Sequence, residues 1–409
     1  MRRALLAGCV TAAAGLHCGC AGAQARFDVK VGGDAYFEAG YIAQRNDSGL
    51  RSTEFRNRFR LNIVAGAKAD NGLEYGARLR MRANTGDRVT DADRVYLFAQ
   101  GAFGQLRLGL ADSFDDDANF IALGIGRPRD FLPIAIMDQA TGFMGPAGAG
   151  QGVDPATGRY TGADVRGGIS GTVQAPFSGL WPALVSDNNG SKIGYSSPRY
   201  VGFQVGGSFT PRNDSANTDV NRVRPGGTAG AQASGLFQDL IEVGANYADT
   251  IGGVKWLASF DYMRGTAMQP GNGLDHFENL GAWHAAARAE YAGFSVGGGY
   301  TSFGRSGQNT RYAFTGNAGN WEAGAQYRMG PWVFGVGYMH GTDPGSTTLP
   351  NDRKTNVYEA GIGYTVAPGL LLQAQYDHFT ADSDKATTAA SGSPDDRGNI
   401  VLARTVLVF

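Results

Sequence analysis

The feature that most constrains this chain is a two-residue alternation of apolar and polar side chains, repeated in segments of about ten residues. A two-residue period predicts β-strands, because successive side chains of a strand point to opposite faces of the sheet. We identify about sixteen such segments, separated by turn residues: 27–41, 53–68, 73–84, 92–101, 104–110, 191–197, 200–210, 237–248, 253–265, 279–292, 294–304, 320–329, 332–341, 356–366, 370–380 and 399–409. This length and spacing are typical of strands that cross a membrane.

The connections between these segments alternate between short and long. The short ones are 69–72, 102–103, 198–199, 249–252, 293, 330–331 and 367–369, and the long polar ones are 211–236, 266–278, 305–319, 342–355 and 381–398. Short periplasmic turns and long extracellular loops are typical of outer-membrane barrels, whereas a soluble all-β protein has no reason to keep this parity. Spanning strands must bond to neighbours on both edges, so the sheet is predicted to close into a transmembrane antiparallel β-barrel. A barrel of about sixteen strands encloses an aqueous lumen.

The connection from 111 to 190 is the longest, and it follows the fifth predicted strand. We expect it to fold inward as a constriction loop. Its length also allows an external lid or a hidden short pair of strands.

The amino terminus predicts a signal peptide at 1–25, followed by the barrel at 26–409. Arg2 and Arg3 supply a positive region, 4–15 an apolar region, and Ala23, Gln24 and Ala25 a cleavage site. A lipoprotein cleavage box ending at Cys9 is the alternative, but it leaves too short an apolar region. All cysteines fall within the predicted signal, so the mature chain has no disulfide or thiolate metal site.

The charge balance gives no reason to expect nucleic-acid binding. The formal net charge is −1, and removal of Arg2 and Arg3 makes it −3. The histidines outside the signal (His276, His284, His340 and His378) show no metal-ligand spacing, and no nucleophile and base stand in a catalytic arrangement. We therefore expect no enzymatic activity.

Six arginines alternate along two neighbouring segments and are predicted to line the pore: Arg56, Arg58, Arg60, Arg78, Arg80 and Arg82. A dry protein interior would not tolerate so many guanidinium groups, whereas a wet lumen keeps them hydrated and lets them set selectivity. The alternative is that these arginines form the polar outer face of some other fold.

Four acids at the start of the long connection are predicted to face these arginines across a constriction: Asp112, Asp115, Asp116 and Asp117. The opposed charges would create a transverse field that favours polar solutes. Two alternatives remain open, a calcium site made by the clustered carboxylates and a plain solvated loop. No other metal or cofactor is expected.

Three segments of this chain resemble a known family: FDVKVGGDAYFEAGY (27–41), RVYLFAQGAFGQLRLGLADS (94–113) and the terminal VLARTVLVF (401–409). Over its whole mature length the chain looks like the Gram-negative general porins, especially the alphaproteobacterial type. The resemblance implies a homotrimer, an inward-folded third loop and diffusion of small polar solutes. Phe409, with apolar residues at alternate positions before it, resembles the signal read by the barrel-assembly machinery.

The sequence thus predicts a general-diffusion porin in the outer membrane, in contact with its lipid, passing ions and small hydrophilic solutes. A substrate-specific, anion-preferring porin is the first alternative, motivated by the arginines. A structural or receptor barrel plugged by the 111–190 connection is the second.

Overall fold

The structure, a computed structural model, describes residues 26–45, 51–83, 90–118, 153–154, 159–160, 184, 190–213, 237–269, 276–307, 310, 316–343, 353–382 and 396–409. The predicted signal peptide at 1–25 and most of 111–190 lie outside these ranges. No helix in the described ranges has the length and apolar character that crossing a membrane requires.

Within the described residues the chain forms eighteen strands and one short helix. In chain order they are β1 (Asp28–Gln44), β2 (Thr53–Lys68), β3 (Glu74–Ala83), β4 (Thr90–Gly101), β5 (Gly104–Leu110), α1 (Phe114–Ala118), β6 (Val153–Asp154), β7 (Arg159–Tyr160), β8 (Lys192–Ser196), β9 (Phe203–Arg212), β10 (Phe237–Ile251), β11 (Val254–Ala267), β12 (Leu280–Tyr291), β13 (Phe294–Gly304), β14 (Ala318–Met329), β15 (Trp332–Asp343), β16 (Arg353–Ala367), β17 (Leu370–Asp382) and β18 (Asp396–Val408).

Sixteen of these described strands close into one antiparallel barrel, which confirms the predicted fold class. Each strand bonds to its neighbours in sequence, except that β5 pairs with β8 and β1 pairs with β18. The remaining two, β6 and β7, form a separate hairpin within the long connection. This hairpin is the short strand pair that the length of 111–190 allowed.

The barrel closes where the two ends of the chain meet. The Gly33 N–H donates to the Phe409 carbonyl (2.7 Å), and the Phe409 N–H donates to the Gly33 carbonyl (3.1 Å). A Cβ on Gly33 would lie 2.3 Å from the Arg60 carbonyl oxygen and 2.9 Å from the Phe409 ring. Glycine at 33 therefore lets three strands approach at the seam.

The short connections all lie at one end of the barrel, called here the turn end, and the strand ends that the long connections join lie at the other, the loop end. The β10–β11 turn consists of Gly252 and Gly253, both with positive φ (60° and 81°). Two left-handed residues in a two-residue hairpin match the right-handed twist of the strands they join. Turn chemistry thus fixes the register of this hairpin.

Aromatic side chains form two rows on the outer face. On β14, β15 and β16 they recur six residues apart: Trp321 and Tyr327, Trp332 and Tyr338, Tyr358 and Tyr364. Six residues span roughly 20 Å along a strand. Neighbouring rings contact each other along each row, as in Trp321–Tyr338 (4.8 Å between centroids) and Trp332–Tyr364 (4.4 Å). Rows of this kind are typical of the two membrane interfaces of a spanning barrel.

Candidate functional site: the barrel interior

The six predicted arginines lie on the inner face of β2 and β3. The alternate residues of β2, such as Phe55 and Phe59, point outward and are exposed. Two further arginines, Arg94 on β4 and Arg404 on β18, extend the same surface. We call these eight residues the arginine wall: Arg56, Arg58, Arg60, Arg78, Arg80, Arg82, Arg94 and Arg404.

Two carboxylates of β1 divide the arginine wall into ion pairs that the sequence reasoning missed. Asp34 accepts from Arg58 Nη2 and Arg60 Nε, both at 2.9 Å. Glu38 contacts Arg56 Nε at 2.8 Å and Arg404 Nε at 2.7 Å. The sequence contained this information, because Asp34 and Glu38 are four positions apart. Residues an even number of positions apart on a strand share a face, here the inner face of β1.

A β-bulge between β3 and β4 adds a third carboxylate. The pairing shifts after Arg80 opposite Arg94, so Asp93 becomes an extra residue turned inward. Asp93 accepts two hydrogen bonds from Arg80, at 2.8 and 3.0 Å, and lies 3.7 Å from Arg82 Nη1. The bidentate geometry holds Arg80 in one orientation.

Arg78 has a different environment from its neighbours. Among the described residues its partners are neutral, Asn62 Oδ1 at 2.9 Å and Tyr96 Oη at 3.3 Å. Its side chain is half-buried, so it keeps contact with the lumen. Arg78 is therefore the wall arginine whose positive charge is least compensated by the described carboxylates.

The acids of the long connection are arranged differently from the prediction. Asp112 does not face the arginines across a gap but bonds directly to Arg94 Nε and lies 3.8 Å from Arg80 Nη1. Asp116 lies 4.0 Å from Arg94 Nη2, and Asp115 points to the opposite wall. The side chain of Asp117 lies outside the described residues. Direct contact removes the charge separation that a transverse field from Asp112 would need.

The helix α1 lies against the inner faces of β9 to β11. Ser113 caps it by accepting the Asp116 N–H (2.9 Å) and donates to the Leu184 carbonyl (2.8 Å). The N–H groups of Phe114 and Asp115 both donate to the Glu242 carboxylate, at 2.8 and 2.9 Å. A carboxylate on β10 therefore fixes the first turn of this helix, where the backbone N–H groups are otherwise unsatisfied.

Phe114 occupies space left by two glycines of the wall. A Cβ on Gly206 would lie 2.4 Å from the Phe114 ring, and one on Gly244 would lie 2.9 Å from it. Gly206 and Gly244 face each other across β9 and β10. The pair of glycines thus forms the seat of α1.

Asp115 joins α1 to β11 and β12. His284 Nδ1 lies 2.7 Å from Asp115 Oδ1, and Asp115, Asp261 and His284 are all fully buried. Burial alone would raise the pKa of Asp115, but the charge and hydrogen bond of His284 and the N–H of Leu184 hold it below its ordinary value. The hairpin register places Asp261 opposite His284 and Gly244 opposite Asp261.

The comparison with protein families decides the identity of this barrel. A family model described as Gram-negative porin matches residues 9–384. The chain belongs to the Gram-negative porin family. This confirms the resemblance that the three sequence segments carried, and it makes the protein an outer-membrane channel.

Related sequences and structures agree with the porin family. An uncharacterized protein of Rickettsia conorii is 23% identical over 434 residues, covering 93% of each chain, and one of Rickettsia prowazekii is 22% identical over 437 residues, covering 93% of this chain and 92% of that one. A mutant of the Rhodopseudomonas blastica porin superposes with a TM-score of 0.52 at 15% identity, over 93% of this chain and 100% of its own. A loop-deletion mutant of OmpT, an outer membrane protein of Vibrio cholerae, gives 0.55 at 13% identity, over 93% and 99%. At these identities the structures show the shared fold.

At the turn end, the interior of the porin contains cavities with polar walls. A cavity of about 710 Å³ is lined there by Gln100, Gln105, Ser196, Gln204 and Asn246, with the Phe114 ring at its boundary. A second cavity of about 660 Å³ is lined by charged side chains that include Lys255, Arg288 and Glu290. Polar lining of this kind favours water over apolar solutes.

Further acidic side chains lie on inner faces outside the arginine wall, across the barrel on β10, β11 and β14 and beside β18 on β16 and β17. They lie on the inner faces of β10, β11, β14, β16 and β17: Glu242, Asp261, Glu322, Glu359 and Asp377. Each is 5% exposed or less. The sequence reasoning missed them, since they are spread over five strands and form no run along the chain.

Proposed function

We propose that the protein is a general-diffusion porin that passes ions and small hydrophilic solutes through a water-filled lumen. The observation that carries this proposal is the arginine wall on the inside of a closed sixteen-strand barrel. Among the described residues, six of the eight guanidinium groups lie at hydrogen-bonding distance from one of four carboxylates: Asp34, Glu38, Asp93 and Asp112. Arg82 lies 3.7 Å from Asp93, and Arg78 bonds to neutral groups. An excess of charge is stable on such a surface when water and mobile ions reach it.

The charge distribution supports a lumen with a transverse field, although its acids differ from those predicted. The positive side is the arginine wall, and the acids across the barrel from it are Glu242, Asp261 and Glu322 of β10, β11 and β14 rather than Asp112. Such a field orients dipolar solutes and disfavours apolar ones. It requires no specific binding site.

Liposome swelling tests this proposal. Liposomes containing the purified protein are placed in isotonic sugars of increasing size, and the initial swelling rate is measured. A general pore gives rates that fall smoothly with solute size and rise in proportion to concentration. A rate that saturates with one solute would contradict general diffusion.

An anion-preferring, substrate-specific porin is the second candidate, favoured by the excess of arginine over carboxylate in the arginine wall. It predicts a block of ion current by one class of multivalent or carboxylated anion at low concentration. The general pore predicts that these anions only scale the current with their mobility. Ion current recorded during titration with citrate, phosphate and neutral sugars separates the two.

The assembly of this porin is part of the proposal. We expect a signal peptide at 1–25, insertion by the barrel-assembly machinery through the terminal Phe409, and a homotrimer in outer-membrane lipid. The location of Phe409 at the barrel seam and its exposed ring support its role as an assembly signal. Cross-linking of the detergent-purified protein tests the oligomeric state, because a trimer gives bands up to three chains and no further.

A further inference from the structure

The contact between α1 and the barrel contains a cluster of ionisable groups that the channel proposal does not use. Asp115, Asp261 and His284 each offer one ligand atom, and these atoms all lie within 4.8 Å of one another. The three residues come from α1, β11 and β12, and all are fully buried. They are brought together by the hairpin register and by the path of the chain after β5.

Within this cluster, the environment of Asp261 favours a bound ligand most strongly. Both of its carboxylate oxygens are buried, and among the described residues no N–H or hydroxyl group donates to either of them. The polar group that faces them is another carboxyl, that of Asp115. Buried carboxylates in proteins are paired, hydrogen-bonded, or bound to a metal. A Cβ on Gly244 would lie 1.7 Å from Asp261 Oδ1, so only a glycine at 244 leaves room for this side chain.

The charges of the cluster favour a cation. The Asp115 carboxylate pairs with His284, and within the described ranges no arginine or lysine pairs with Asp115 or Asp261. Glu242, another buried carboxylate, lies close enough to act electrostatically on Asp261. When both Asp115 and Asp261 are ionised, two carboxylates lie beside one imidazole, and a divalent ion would offset their negative charge.

We propose that Asp115, Asp261 and His284 bind a divalent transition-metal ion of the zinc class, which fastens α1 to the inner wall of the barrel. An imidazole nitrogen with two carboxylate oxygens suits zinc, while calcium takes six or more oxygen ligands. Three protein ligands and a water make a tetrahedral site, with ligand atoms about 3.4 Å apart. The present spacing brackets this distance, from 2.7 Å between Asp115 Oδ1 and His284 Nδ1 to at most 4.8 Å within the cluster.

This proposal does not depend on the transport properties of the channel. The alternative for the same atoms is a proton shared between the Asp115 and Asp261 carboxylates. The two differ in a directly measurable way, because only the metal site gives stoichiometric metal binding.

Metal binding by the untagged, folded, full-length protein tests the proposal. After stripping with chelator, the protein is equilibrated with Zn²⁺ and bound metal is measured by mass spectrometry, and Co²⁺ is used for visible spectra. We expect about one Zn²⁺ per chain and intense tetrahedral Co²⁺ bands, with affinity at least about tenfold lower in Asp261→Asn and His284→Gln. His378→Gln is the matched control, because His378 lies on the outer face beside Tyr358 and Asn399.

Three results would overturn the proposal. The first is wild-type protein that binds no Zn²⁺ and shows no tetrahedral Co²⁺ bands, a test that requires no variant to fold. The second is equal binding by wild type, Asp261→Asn and His284→Gln. The third is displacement of Zn²⁺ by a modest excess of Ca²⁺, which would identify an oxygen-ligand site.

Discussion

At the scale of single residues, we predict that neutralising Arg78 and neutralising Asp34 shift ion selectivity in opposite directions. Arg78 bonds to neutral groups, whereas Asp34 compensates both Arg58 and Arg60. A unit charge about 10 Å from the ion path in water changes the energy of an ion by about 0.4 kcal/mol, or roughly twofold in its local concentration. Because anions and cations change in opposite directions, Arg78→Gln should lower the anion-to-cation permeability ratio about fourfold, and Asp34→Asn should raise it about fourfold.

Reversal potentials in a salt gradient measure this ratio. The two variants change the charge by one unit in opposite directions, so each serves as the control for the other. If both moved the ratio in the same direction, or neither moved it, the arginine wall would not line the ion path.

The sequence predicts which residues share a face, but not which of them touch. Alternation was sufficient to place the six predicted arginines on one side of β2 and β3, and the same rule applied to β1 would have found Asp34 and Glu38. Asp93 could not be found this way, because the β-bulge turns it inward against the alternation. Asp115 and His284 are 169 residues apart, and their contact depends on the path of a connection that has no periodic pattern.

The seat of α1 gives a prediction at the scale of elements. Gly206→Ala would place a Cβ 2.4 Å from the Phe114 ring, and Gly244→Ala would place one 1.7 Å from Asp261 Oδ1. Overpacking of this kind costs about 1–3 kcal/mol, and the side chains that must move are the Phe114 ring of α1 and the Asp261 carboxylate beside Asp115 of α1. Both variants should change single-channel conductance and increase open-channel noise while the barrel stays folded.

Gly281→Ala is the matched control for this prediction. It lies on β12, it is exposed, and a Cβ there would meet no atom within 4 Å. Conductance and noise in Gly281→Ala should equal those of the wild type. Unchanged recordings from Gly206→Ala and Gly244→Ala would show that α1 does not shape the ion path.

The barrel seam gives a second prediction at this scale. Phe409 pairs with Gly33 through the backbone and contacts the Phe59 ring (5.9 Å between centroids). Phe409→Ala should reduce the amount of folded protein in the outer membrane, because both the contact and the terminal aromatic group are lost. Membrane fractionation with a heat-modifiability gel measures this amount.

Phe294→Ala controls for the loss of an exposed aromatic residue at the turn end. It should leave the folded amount close to that of the wild type. A loss as large as that of Phe409→Ala would mean that any turn-end aromatic residue has this effect, and Phe409 would have no special role in assembly.

The sequence predicted the strands more accurately than it predicted the contacts between their side chains. Several strands begin or end where alternation placed them, as β2 and β5 do, because a one-residue slip would move every apolar side chain to the wrong face. The strands β6 and β7 contain two residues each, which is too few to show any period. The prediction that 111–190 narrows the lumen depends on residues that lie mostly outside the described ranges.

For the whole molecule, the closed barrel follows from two properties of the sequence, the alternation and the parity of connection lengths. Both are set by the membrane, which requires every strand edge to be paired and one face of each strand to be apolar. Selectivity is not set in this way. It depends on how Asp34, Glu38 and Asp93 compensate individual arginines, which only the three-dimensional arrangement reveals.

Single-channel recording in a planar lipid bilayer tests the central claim, an open water-filled pore, most directly. The detergent-purified protein, never heated, is added to a bilayer in salt solution, and current steps are recorded over a range of voltages. We predict large, stepwise, ohmic increments, with closures in thirds at high voltage for a homotrimer. Insertion of folded protein without any conductance would contradict the claim, and it would identify a barrel plugged by its long connection.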